Sequence, residues 1–567
     1  MQNRMTSMIV GAIILSLVFV GGAGALARDA QPEMPAPDWI LFNGKIATVD
    51  ANNSFAQAVA IRDGKILAVG RNGPIRSLWR PGTQIIDLNG RTVLPGLIDG
   101  TLHGLRNSYH CFSRAVRLDG TFSRSEALAA YAAKGTQLAP DTWIFTTAGW
   151  GVNQFDVPGM LTRAELDAVL PNHPVWVQAF GFTGVQVNSR ALAVLRLKAG
   201  DPGVEVDPAT GQPTGRLTGA AFSAAGTAIL AQLQTLTIDE QAQCLKDFMR
   251  EANRVGITAW DDPAGNAMPF APGGGTIEAL TGDHGYQAVN QLWRDGEMTA
   301  RVVINLIAYI GLEGVLRDTE NALSLIGDDM LRIGGVGEEV MQPVGGVYPP
   351  EYRSIVRHLI RNRWRFEHHA TPGITQRTNL DAWEAVSAEV GPIADLHWVM
   401  LHPGEGPVNP TDETLARLKA LGAGVVPTNP SARGGTDHPP YRRIYESGTR
   451  MCLGTDALNV APYPPFLNLW YTISGKTVDP NVPGVVPEQR LTREQALRAA
   501  TVNCAWFVEL EGKVGSLEVG KHADLLVLSG DYFTVPVDEI RNLTSVLTMV
   551  GGKIVFADAE FAGLEQP

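Results

Sequence analysis

From about Pro95 to about Glu509 the chain alternates short apolar runs with amphipathic stretches of helical period, and this alternation restricts the fold more than any other feature. V-W-V-Q-A-F, G-I-T-A-W-D-D, A-R-V-V-I-N-L-I-A, W-V-M-L-H-P, G-A-G-V-V-P-T and R-M-C-L-G-T-D-A read as buried barrel strands. Ser123 to Lys134, Ile238 to Val255, Leu380 to Val390 and Thr492 to Cys504 read as helices. Such alternation predicts an α/β fold in which helices cover a parallel sheet, and several runs end in a polar or ionisable residue. An α/β barrel places its site at those carboxyl ends. The run that opens the series is Thr92 to His110, where Val93, Leu94, Leu97 and Ile98 surround a Pro95-Gly96 break before Asp99, Thr101 and His103.

The two ends of the chain differ from this middle. Ile40 to Val49, Ala58 to Ile61, Lys65 to Val69 and Gln84 to Leu88 are short β-prone runs punctuated by Asn43-Gly44, Asp63-Gly64 and Asn89-Gly90. Strand signals return at Val514 to Leu528 and at Ser545 to Phe556, the latter around a Gly-Gly turn. Ahead of all this, Arg4 precedes an apolar run from Met8 to Val20, and Ala25-Leu26-Ala27 fits a signal-peptidase site. The run is short for a membrane span, so residues 1–27 are expected to be a removed signal peptide and 28–37 a proline-rich linker. The mature protein would be exported without a stable membrane anchor, and periplasmic in a Gram-negative source.

At 567 residues, 45% of them hydrophobic, the chain has enough apolar content for one large domain and a smaller companion. A formal net charge of -12, from 46 basic against 58 acidic residues, leaves no footprint for nucleic acid. The four cysteines, Cys111, Cys244, Cys452 and Cys504, show no C-x-x-C spacing and are expected to be buried free thiols.

Pro95, Gly96, Ile98, Asp99 and His103 resemble the P-G-x-I-D-x-H-x-H strand that opens the catalytic barrel of the amidohydrolase superfamily, with Thr101 in the place of the first histidine. A-G-W-G-V-N-Q-F from Ala148, L-T-R-A-E-L-D-A-V-L-P from Leu161, V-N-S-R-A-L from Val187, P-T-G-R-L from Pro213 and R-L-T-R-E-Q-A-L from Arg490 narrow the resemblance. They are similar to amidohydrolase family 3, the YtcJ-like proteins and N-substituted formamide deformylases. The resemblance implies a TIM-like (β/α)8 metal-dependent hydrolase barrel over 93–509. It also implies a split β-sandwich made by 38–92 plus 510–560, with His522 in a structural turn. The activity implied is hydrolysis of a non-peptide C–N bond in a small amide-like molecule.

Within that frame His103, His369, His402 and Asp456 occupy ligand positions at strand ends, and Asp456 would take a proton from the attacking water and return it to the leaving group. Imidazoles and carboxylates are the donors that zinc accepts. The lysine that relatives use to bridge two metals is replaced by Gly337, and Glu338 or Glu339 offers a carboxylate instead. The expected centre is one zinc held by His369, His402 and a glutamate of this pair, faced by His103 and Asp456, with His402 and Asp456 catalytic. His368 points to the opposite strand face and is assigned, with His110, a supporting position. Trp150, Phe182 and Tyr463 are the expected substrate contacts, and the Gly/Pro-rich stretch from Pro263 to His284 a lid. Two alternatives stand beside this reading: a barrel that binds a small molecule without turning it over, and a metal-dependent esterase or lactonase.

Overall fold

The computed structural model describes residues 35–566 apart from 106–113, 147–148, 180–183, 234–235, 264–285, 307–310, 342, 345, 371–372, 404–408, 429–437 and 459–460. The signal segment, most of the linker, His110, Cys111, Phe182 and nearly all of the expected lid lie outside the described residues.

The centre of the molecule is a nine-stranded sheet whose main path holds eight strands in chain order: β1 (Leu97–Asp99), β2 (Ile257–Asp262), β3 (Arg301–Leu306), β4 (Leu331–Val336), β5 (Arg365–His369), β6 (Val399–Leu401), β7 (Gly424–Val426) and β8 (Arg450–Met451); the ninth, Ile326–Gly327, pairs antiparallel with β4 off that path. Each neighbouring pair along the path from β1 to β8 is parallel. The sheet curls until its edges meet. Gly100 N–H donates to Leu453 O at 3.0 Å, Asp456 N–H to Thr101 O at 2.8 Å and His103 N–H to Ala457 O at 2.8 Å. The residues that follow β1 and β8 are thereby held side by side.

Helices follow the strands and cover the outer face. Ile238–Arg254 shows why: Thr237 and Glu240 form a capping box, and Leu245, Phe248, Met249 and Ala252 share one buried face. That face packs on Ile257, Trp260, Val302 and Ile304, the outward-pointing residues of β2 and β3. Among the described residues no helix is long and apolar enough to cross a membrane.

The chain ends share a six-stranded sheet in which Leu525–Leu528 runs antiparallel to Thr92–Pro95, pairing Leu526 with Leu94 and Val527 with Val93. A four-stranded sheet of Lys65–Gly70, Ala58–Arg62, Trp39–Phe42 and Gln84–Asp87 lies against it, and one core runs through Leu41, Val59, Val93, Leu525 and Leu547. The Asp63-Gly64 turn has positive φ at both residues, 49° and 75°, the twist that a two-residue hairpin requires.

Two expectations need correction. V-W-V-Q-A-F is not a strand of the central sheet: Val175–Val177 sits in a separate five-stranded sheet between Ile144–Thr146 and Val185–Val187. A short run buried on both faces has no periodicity that identifies its sheet. Nor are the described cysteines free thiols. Cys452, just past β8, and Cys504 form a disulfide with Cα atoms 4.7 Å apart, and Cys244 is also disulfide-bonded. Cys452 and Cys504 are 52 positions apart in sequence, so only the fold reveals that they meet.

Candidate metal centre

The site begins at the seam between β1 and β8. Asp99 ends β1, and its carboxylate accepts from Thr101 N at 3.1 Å, Thr455 N at 3.0 Å and Thr455 Oγ1 at 2.6 Å. Burial pushes its pKa up to about 7 against those hydrogen bonds. The seam delivers His103 and Asp456 together, with His103 Nε2 3.0 Å from Asp456 Oδ1. Thr101 is fully buried, its Oγ1 lacks a hydrogen-bond partner among the described residues, and its carbonyl accepts from Asp456 N.

From the other side come the ends of β4, β5 and β6. Gly337 N–H continues the ladder to Leu306 O at 2.9 Å. A Cβ here would lie 3.1 Å from Pro263 O and 3.2 Å from Glu367 Cβ, so a bulkier residue would be crowded. Glu338 follows, and its carboxylate reaches both ways: Oε1 is 3.6 Å from His103 Nε2 and Oε2 is 3.3 Å from His402 Nε2. His369 ends β5, its ring centroid 4.4 Å from that of His402 and its Nδ1 3.8 Å from Glu339 Oε1.

Donor atoms of Glu338, His369 and His402 therefore lie within 4.8 Å of one another, and so do those of His103, Glu338 and Asp456. Glu338 is the member common to both triads. Burial works to raise its carboxyl pKa, but the imidazoles of His103, His402 and His369 hold it well below the usual carboxylate range. Asp456 is pulled the same way, with burial opposed by His402 and His103. Ionised carboxylates beside imidazoles are a donor set that fits a borderline divalent cation.

The backbone is strained where it presents these groups. His402 and Asp456 have φ of 60° and 55°, a left-handed conformation that costs a non-glycine residue on the order of 1–3 kcal/mol and collects at functional sites. His402 is held there by Val426 O, which accepts from its N–H at 3.0 Å, and by Thr428 Oγ1, 3.2 Å from its Nδ1. His368 lies on the outer face of β5, where burial pulls its pKa down to about 3.

Of the expected aromatic contacts, the two among the described residues are packed. Trp150 is fully buried, donates its indole N–H to Gln178 O at 2.8 Å and stacks on Phe155. The Tyr463 hydroxyl donates to Glu251, and the ring lies under the Arg117 guanidinium. Neither ring is presented as an open pocket wall. His397 precedes β6, at the opposite end of the strand from His402, and pairs with Glu509 at 2.8 Å. His522 pairs with Asp329 at 2.9 Å.

A buried ionic cluster on the inner face was missed. Arg365 Nη2 binds both Asp261 and Glu367, and Asn305 donates to Asp261 at 2.7 Å. Its signal was the period of two in Arg365, Glu367 and His369, which sets all three on one strand face. Thr428 and Thr455, which orient His402 and Asp99, carried no comparable signal.

Residues 84–556 match the model of the amidohydrolase family. The chain is 25% identical to the N-substituted formamide deformylase of Arthrobacter pascens over 554 residues, covering 91% of this chain and 97% of the relative. A metal-dependent hydrolase of Pyrococcus furiosus, itself uncharacterised, superposes with a TM-score of 0.58 at 20% identity, covering 88% of this chain and 100% of that one. Atrazine chlorohydrolase from Arthrobacter aurescens, solved with zinc, superposes with a TM-score of 0.51 at 16% identity, covering 93% and 97%.

Proposed function

This chain belongs to the amidohydrolase family, and from that premise we propose that it is an exported, zinc-dependent hydrolase of a non-peptide C–N bond in a small molecule. The observation that carries the reading is the placement of Glu338, whose two carboxylate oxygens face His103 on one side and His402 on the other. Zinc is favoured by the imidazole–carboxylate donor set and by its presence in the atrazine chlorohydrolase structure.

One zinc per chain would be held by Glu338, His369 and His402. When bound, it would supply Lewis acidity towards the scissile carbonyl and lower the pKa of the attacking water. Asp456, ionised and hydrogen-bonded to His103, is set to take a proton at its carboxylate and return it to the departing nitrogen. The strained backbone at His402 and Asp456 keeps both side chains turned into the site. A substrate with a small acyl or formyl group on nitrogen suits this reading, in line with the deformylase relative.

The curled parallel sheet supports a (β/α)8 barrel over 93–509, and the shared six-stranded sheet supports a composite sandwich from 38–92 and 510–560. Export is supported by the leader-like first 27 residues and by the disulfide-bonded cysteines, which persist in oxidising compartments. The test is elemental analysis of the dialysed protein. About one zinc per chain is expected, and far less after Glu338→Gln; equal zinc in both proteins would remove Glu338 from the centre.

A further inference from the structure

His368 takes no part in the chemistry just described, yet it is one of the most completely enclosed polar side chains near the site. Its ring is stacked on Tyr352 and Phe366, with centroids 5.2 and 5.0 Å away, and Tyr348 closes over it at 5.1 Å. A phenylalanine would fill such a box without burying a polar atom.

One contact leaves the box. Nδ1 of His368 lies 2.8 Å from the carbonyl oxygen of Glu338. A carbonyl only accepts, so Nδ1 carries the proton and donates. Nε2 is then a bare acceptor, buried and without a partner among the described residues, which by itself is destabilising. The compensating gain is the grip on Glu338. The same carbonyl accepts from the His369 backbone N–H at 3.0 Å, so its orientation is set by two donors. Tyr348 lies tilted against the same ring, so His368 touches both Glu338 and Tyr348.

We infer that His368 is a positioning residue for the metal centre: its Nδ1–H fixes the Glu338 peptide so that the carboxylate stands between the two donor triads. The inference rests on the metal-centre reading above. It is tested on the full chain with His368→Phe, which keeps the ring and removes the donor, and with His368→Asn, which keeps a side-chain N–H near the Nδ1 position. His368→Met removes the donor with a flexible side chain and carries the same expectation as His368→Phe, so the test does not hang on one variant folding.

Two quantities are read: the zinc dissociation constant, by competition with a chromophoric chelator, and amide exchange of the His369 peptide in metal-free protein. His368→Phe is expected to weaken zinc binding roughly 10–100-fold and to accelerate exchange, because the partner that holds an oriented ligand is lost. His368→Asn should recover most of both. Wild-type affinity and exchange in His368→Phe would overturn the inference. Equal impairment in His368→Phe and His368→Asn would do so too, since that pattern follows packing and not the donor. If Glu338→Gln binds zinc as tightly as the parent, the metal-centre reading fails instead, and exchange at His369 decides the inference alone.

Discussion

The two halves of the site present the same kinds of ligand and support them by different physics. At the β1–β8 seam, His103 and Asp456 rest on the buried Asp99 carboxylate, on three hydrogen bonds donated to it, and on a disulfide beneath. Gly100 leaves room for that disulfide, because a Cβ there would lie 2.6 Å from Cys452 Sγ. At the β4–β5 edge, Glu338 and His369 rest on a neutral imidazole in an aromatic box. The seam is held by charge and covalency, the edge by packing and one oriented N–H. A group that must gain and lose a proton benefits from a rigid polar seat. A metal ligand needs chiefly to stay in place.

The largest expected effect separates the halves by role. Asp456→Asn should lower turnover of an N-acyl amide roughly 10²–10⁴-fold, the contribution typical of a general acid–base, while bound zinc stays near the parental level. His369→Ala should instead release the zinc. Loss of zinc in Asp456→Asn, followed by elemental analysis alongside amine release, would erase the distinction.

The next effect tests the covalent support. Replacing Cys452 and Cys504 with alanine should lower the unfolding free energy by about 4 kcal/mol, the chain-entropy value for a loop of this length. Amide exchange should rise first around 450–457, with 365–369 unaffected. Equal acceleration at both edges would mean that the site responds as one unit.

The smallest effect is a difference in pH dependence, measured on metal-free protein by urea unfolding. Asp99 has a raised pKa, about 7, so between about pH 4 and 7 the folded state binds more protons than the unfolded chain. Its contribution to stability therefore falls as pH rises through that window. His368 has a lowered pKa, about 3, so from about pH 3 to 6.5 the unfolded chain binds more protons and its contribution rises with pH. Subtracting Asp99→Asn from the parent should give a descending line, and subtracting His368→Asn an ascending one. Two lines of the same sign would contradict the contrast.

Much of this arrangement was legible in the sequence for a definite reason. His103, His369, His402 and Asp456 stand where apolar strand-like runs end, and a parallel sheet brings such ends to one rim. The choice between Glu338 and Glu339 was not legible, because it depends on how the backbone turns after Gly337. The role of His368 was half legible: period two put it on the outer face, but nothing in the sequence placed the Glu338 carbonyl within its reach. Pairing of Cys452 with Cys504, and the separate sheet that takes Val175–Val177, are long-range outcomes that local pattern does not encode. The Arg365, Asp261 and Asn305 cluster likewise joins three strands that only the register brings together.

The account's central claim is that Glu338 joins the two halves of one metal centre, and the most direct test is the anomalous scattering of zinc in crystals of the loaded protein. The expected result is one peak per chain, bonded to Glu338, His369 and His402 at roughly 2.0–2.2 Å, with Asp456 and His103 facing it. A peak bonded elsewhere, or one at this rim that leaves Glu338 uncoordinated, would contradict the claim.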